Sequence, residues 1–117
     1  MITVLYVSLG AALGATMRYG CQQLLGGILG LPLGIITANL VGCFLIGYFY
    51  SVGSAISEEL RMGLMTGFIG SLTTMSGFAL NFVTLSANKQ YLHLVSLFAL
   101  TFIGGLAMCI WGMSLGK

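Results

Sequence analysis

The stretch from Gly67 to Phe82, GFIGSLTTMSGFALNF, sets Ser71, Thr73, Thr74, Ser76 and Asn81 among glycines and aromatic residues. Hydroxyls and amides in so apolar a segment are donors and acceptors without water to serve them. In hydrocarbon, irregular backbone survives only where it is buried in protein or lines a cavity. A helix broken at a hydroxyl-rich centre is a recurring way to build an ion or substrate site at the bilayer midplane. The same small residues also let helices approach closely, so a plain helix–helix contact competes with that reading. Two polar groups elsewhere bear on the choice. Asn39 lies on an otherwise apolar rod with Thr37, and its amide is costly in hydrocarbon unless hydrogen-bonded. It is either interhelical glue or a source of N–H donors for a passing anion. Arg18 is either an anchor whose guanidinium snorkels to water or a fixed positive charge at a vestibule.

The rest of the chain has to position these groups. Of its 117 residues, 58% are hydrophobic and 5% charged, against about a quarter charged in soluble domains. This composition defines an integral membrane protein. At about 20 residues per span, the chain has room for four helices in a single domain, 1–117, and little else. Four short helices enclose little polar space, which predicts an oligomer. The first span is expected over Ile2–Leu25. It lacks a charged leading region, and its apolar run is too long for a removable signal peptide. Gly10 and Gly14 give it a close-packing face. A turn over Gly26–Gly34 carries Pro32 into the first turn of a second span, Leu33–Val52. Tyr48 and Tyr50 read as interfacial aromatics. Ser57, Glu58 and Glu59 read as a helix N-terminus with acids placed well for the dipole. The third span runs from there through the polar stretch to about Leu85, long enough to suit a helix interrupted in its middle. After a connection over Ala87–Gln90, the fourth span covers Tyr91–Leu115. It has His93 near its start, a small and partly polar face at Thr101, Gly104 and Gly105, and Trp111 at the far interface.

Several function classes drop out. No Asp, Glu or Lys falls in the middle of a span, where a proton- or cation-coupled transporter needs a relay or counter-ion. No nucleotide-binding motif, nucleophile–base pair or metal cluster is present, so the protein is not expected to be an enzyme. The cysteines at 21, 43 and 109 lack metal-ligand spacing and read as small apolar residues. With four spans, Arg61 and Lys117 face one side and Arg18 and Lys89 the other. The positive-inside rule then gives no orientation, and the chain is free to insert both ways and pair with its own inverted copy. What remains is passive permeation or a structural role. A polar inventory of Arg, Asn, Ser, Thr and backbone N–H favours an anion, and aromatic ring edges add positive potential.

The residues resemble the CrcB/Fluc family of fluoride channels over essentially the whole chain. GAALGATMRY, from Gly10 to Tyr19, follows the family's glycine pair, Gly-Ala and Arg-aromatic pattern, with Ala11 in place of the second glycine. PLGIITANLVGCFLIG carries Pro32, Gly34, Asn39, Gly42, Phe44 and Gly47 in the family's spacing. GSLTTMSGF, from Gly70 to Phe78, stands where the family has a motif close to GGFTTFSTF. The resemblance implies a multi-pass protein of the cell membrane, working as a dimer of inverted subunits. It implies two fluoride pathways and a structural sodium ion at the dimer interface. By motif position, backbone carbonyls of Gly70 and Thr73 would hold the sodium. Asn39, Met75, Ser76 and Phe78 would line the fluoride pathway, with Thr101 as the candidate on the fourth span. Arg18 would stand at the vestibule. Fluoride export would then relieve cytoplasmic toxicity.

There are departures. Met75 stands at a pore phenylalanine and has no ring edge to offer. Gly77 replaces a track threonine, and Asn81 stands where a glutamate is common. Phe82 shares a helical face with Met75 and Phe78, as a pathway residue or as packing. The eroded third motif favours one subunit of a heterodimer, and the even charge count favours a homodimer; the heterodimer is preferred. A non-conducting subunit that completes a related partner is the alternative. A small multidrug-resistance transporter is a remoter one, since the first span lacks the membrane glutamate that it needs.

Overall fold

The computed structural model describes residues 1–26 and 30–116. Part of the expected turn over Gly26–Gly34, and Lys117 from the charge count, lie outside the described residues. Every regular element described is helical. Helix α1 spans Ile2–Leu25 and α2 spans Leu33–Val52, continued by a 3-10 turn at Gly53–Ala55. Helix α3 (58–72) begins as an α-helical turn at Glu58–Met62, widens to π-helix at Gly63–Ile69, and closes with a last α-helical turn at Gly70–Leu72. Thr73 and Thr74 are extended, and α4 then spans Met75–Ala87. Helix α5 spans Tyr91–Leu115. The expected interruption of the third span is therefore a two-residue break, with a π-helical segment one turn ahead of it. Such widened turns recur at functional sites.

Local chemistry accounts for these boundaries. Ser57 caps α3 by accepting the Leu60 N–H at 3.2 Å, with Glu58 and Glu59 in the first turn. Thr74 caps α4 by accepting the Gly77 N–H at 3.1 Å. Helix α4 ends where Gln90 N–H reaches back to the Leu85 carbonyl at 2.9 Å and Lys89 turns left-handed at φ 59°. This bond pattern closes helices, though the left-handed position usually belongs to glycine.

Among the described residues, three stretches are long and apolar enough to cross a membrane: Leu33–Ala55, Glu58–Ala87 and Tyr91–Leu115. Helix α1 is 24 residues long, but Ser8, Thr16, Arg18, Gln22 and Gln23 make it less apolar than those three. The molecule measures 47 Å along its longest axis, close to the ~40–45 Å of a bilayer with its headgroups. Leu9, Leu13, Leu80, Val83, Ile103 and Leu106 are exposed, as suits a hydrocarbon solvent better than water.

Glycine seams join the helices in two parallel pairs. A Cβ at Gly10 would strike the Gly63 carbonyl, and one at Gly14 the Phe68 carbonyl, so α1 and α3 touch backbone to backbone. The contacts advance together along both chains, from Tyr6 opposite Gly63 to Gly14 opposite Leu72, so these helices run in the same direction. In the same way α2 runs parallel to α5, with Gly47 on the Cys109 carbonyl and Gly112 on the Phe44 carbonyl. Helix α4 is held differently: Phe78 and Leu85 join Ile36 of α2 and Leu97 of α5 in a small apolar core.

Candidate functional site

The break between α3 and α4 is tied to α2 by one side chain. Asn39 is buried, its Oδ1 accepts the Thr74 N–H at 2.8 Å, and its Nδ2 donates to the Thr74 carbonyl at 3.4 Å. The extended backbone has lost its helical partners at Thr74, and the amide replaces them. Sequence reasoning left Asn39 as glue or as an anion donor. The structure shows it as the tie at the break, with a second Nδ2 hydrogen outside that pairing. Thr73 remains attached to the last turn of α3, with both its N–H and its hydroxyl donating to the Ile69 carbonyl, at 3.1 and 3.2 Å. From α1, half-buried Arg18 donates through Nε to the Ser71 carbonyl at 3.0 Å. A cation at a helix C-terminus meets the negative end of the dipole and satisfies a carbonyl that lacks a helical donor.

Beside the break lies an open groove of about 490 Å³ between α2, α3, α4 and α5. Asn39, Gly70, Thr73, Met75, Phe78 and Thr101 all line it. Six of the residues singled out from sequence are thus brought to one surface. Met75 is 68% exposed along the groove, whereas Phe78 is buried and meets Phe102 edge to face, with ring centroids 5.2 Å apart and planes at 86°. Thr101 stands out: its Oγ1 is the buried side-chain oxygen or nitrogen that lacks any hydrogen-bond partner among the described residues. An orphaned buried hydroxyl costs about 1–3 kcal/mol, so a partner of its own is the expected counterpart.

Other singled-out residues sit apart from this groove. Ser76 is exposed, and its hydroxyl lies 3.1 Å from that of Thr74. Arg18, on α1, does not line the groove. Asn81 donates within α4 to the Gly77 carbonyl at 2.8 Å, and with Gln22 and Thr84 it lines a second groove of about 500 Å³. Phe82 packs against Phe78 at 5.8 Å and joins the apolar core, which is the packing reading. Glycine at 77 suits its surroundings, because a Cβ there would stand 3.0 Å from both Ile35 Cδ1 and Thr74 Cγ2.

Sequence reasoning missed Phe102, Cys43 and Cys109 on the groove wall. The i, i+4 repeat of Phe98 and Phe102, matching Phe78 and Phe82, was a usable signal for the first. The cysteines carried none without the register of α2 on α5.

Taken together, these features define a small all-α membrane protein whose broken helix lines a groove of neutral donors and aromatic rings. Comparison with known proteins places it more closely. The chain belongs to the CrcB family, whose model, described as CrcB-like protein, Camphor Resistance, matches residues 5–113. It is 39% identical over 116 residues to a Fluoride-specific ion channel FluC 2 from Staphylococcus haemolyticus, covering 96% of this chain and 94% of that one. It is 37% identical over 120 residues to a Fluoride-specific ion channel FluC from Aeromonas salmonicida, covering 98% and 96%. A Salinibacter ruber protein of the same name is 46% identical over 84 residues, covering 68% and 63%.

Proposed function

We propose that this protein is a fluoride-selective passive channel of the cell membrane. Family membership and relatives of nearly equal length named as fluoride channels support the ion. The observation that carries the site is the orphaned Thr101 hydroxyl in the groove that also holds Asn39 and Phe78. Fluoride is small and strongly hydrated, so a pathway has to replace its water with good donors. A free hydroxyl, an amide hydrogen and ring edges are such donors, and no fixed carboxylate repels the ion. Permeation down the gradient would let fluoride that entered as HF and dissociated inside leave the cell.

In this reading α1, α2, the α3–α4 pair and α5 are four spans. The parallel run of α1 with α3, and of α2 with α5, supports that alternation. The groove is open, so a second subunit is needed to close it. An inverted copy fits a chain without a charge bias. The heterodimer, in which a related subunit supplies the missing ring edge opposite Met75, remains the preferred pairing. Backbone carbonyls of Gly70 and Thr73 fit a hard monovalent cation such as sodium. Both residues are at the C-terminal, negative end of α3 and line the groove, and carbonyl oxygens suit such ions. A bound sodium would neutralise these dipoles where two subunits meet. Arg18, on α1 at the end of α3, would serve a vestibule.

One observation favours the alternative, a non-conducting subunit that completes a partner: Met75 occupies the groove where the family offers a ring. The deciding experiment is efflux from liposomes holding this chain alone. Fluoride efflux with chloride retained supports a self-sufficient channel. Retention of both ions by folded protein rejects that, and efflux restored by a related subunit then establishes the heterodimer.

A further inference from the structure

Cys43 on α2 and Cys109 on α5 are free, half-buried thiols on the wall of one groove. The glycine seam presses their two helical turns together. Gly105 lies one turn before Cys109, and a Cβ there would stand 3.2 Å from Cys43 Sγ. Gly47 lies one turn after Cys43, and a Cβ there would strike the Cys109 carbonyl. Cys43 Sγ therefore lies against a glycine of α5, and Cys109 follows one turn along that helix on the same groove wall.

We propose that Cys43 and Cys109 form a two-thiol site for a soft, divalent, two-coordinate cation, for which mercuric ion is the probe. The donor set selects this class. Among the described residues no group of three or more His, Cys, Asp or Glu side chains could hold a metal, whereas zinc requires four ligands or three with water. Sulfur pairs select soft ions. Charge decides between them. The thiolate is the ligand, so binding breaks two S–H bonds, forms two sulfur–metal bonds and releases two protons to water, with no electron transferred. With a divalent ion the bis-thiolate complex is neutral, and a neutral complex is tolerated beside Ile46 and Leu106 on an apolar wall. A monovalent ion would leave one net negative charge there.

The test uses the full chain in detergent with Cys21→Ser, so that these are its two thiols. Mercuric chloride is titrated in, and the near-ultraviolet sulfur-to-mercury absorbance is followed. Maleimide then counts the thiols left reactive, and a small monothiol is added as competitor. The site predicts saturation at one mercury per chain, both thiols protected, and a band that survives the competitor. Adding C43S or C109S is predicted to abolish the competitor-resistant band. Two mercury ions per chain, or one bridging two chains, would overturn the proposal. So would a band that the competitor strips from the two-thiol protein as readily as from the single-thiol variants. The stoichiometry of the two-thiol protein decides the matter by itself if a serine variant misfolds.

Discussion

The Asn39 side chain holds both backbone groups of Thr74, accepting the N–H at 2.8 Å and donating to the carbonyl at 3.4 Å. It stands in for the helix at the point where α3 gives way to α4. A break in hydrocarbon needs such a substitute, because bare backbone groups there are costly. Asn39→Ala leaves the Thr74 N–H without a partner. The expected loss is about 1–3 kcal/mol of stability, read as a lower unfolding midpoint in detergent. An unchanged midpoint would show that the tie is dispensable.

Close approach of α1 to α3 makes Gly10 and Gly14 intolerant of size. Gly14→Leu would drive a side chain into the Phe68 backbone, and overpacking of this kind costs about 1–3 kcal/mol or more. A Cβ added at Gly20, on the same helix, would meet nothing within 4 Å, so Gly20→Ala is expected to be neutral or slightly stabilising. Folded yield and thermal midpoint of the two variants, measured side by side, check the contrast.

Lys89 holds a left-handed turn at φ 59° between α4 and α5. Lys89→Gly removes the steric penalty of an L side chain there, offset by the extra backbone entropy that glycine loses. The expected net gain is about 0.5–1 kcal/mol, checked by denaturant unfolding, and a loss would contradict the reading of this helix end.

Much of this was legible in the sequence, for identifiable reasons. Apolar length marked the long helices, Ser57 with its two acids marked the start of α3, and the run of small hydroxyl residues marked the break. Asn39, Gly70, Thr73, Met75 and Phe78 reached one groove because motif spacing carries the register of the helices; Thr101, chosen for the small, partly polar face of α5, joined them there. The exact place of the break was hidden, since the backbone groups freed at Thr74 are satisfied by Asn39, far away in sequence. Arg18 was ambiguous for the same reason: its partner is the Ser71 carbonyl, and main-chain acceptors leave no mark in a sequence. The π-helical widening at Gly63–Ile69 follows no residue pattern that we can name.

The most direct test compares fluoride efflux from liposomes bearing the wild-type chain, Thr101→Ser and Thr101→Val, reconstituted with the related subunit if the chain alone is silent. The Thr101 hydroxyl is the buried donor left without a partner, and valine removes it at nearly constant shape. Losing a donor worth about 1–3 kcal/mol is expected to slow efflux about tenfold or more in Thr101→Val, with Thr101→Ser near wild type. Equal efflux from wild type and Thr101→Val, with both folded, would contradict the placement of the fluoride pathway in this groove.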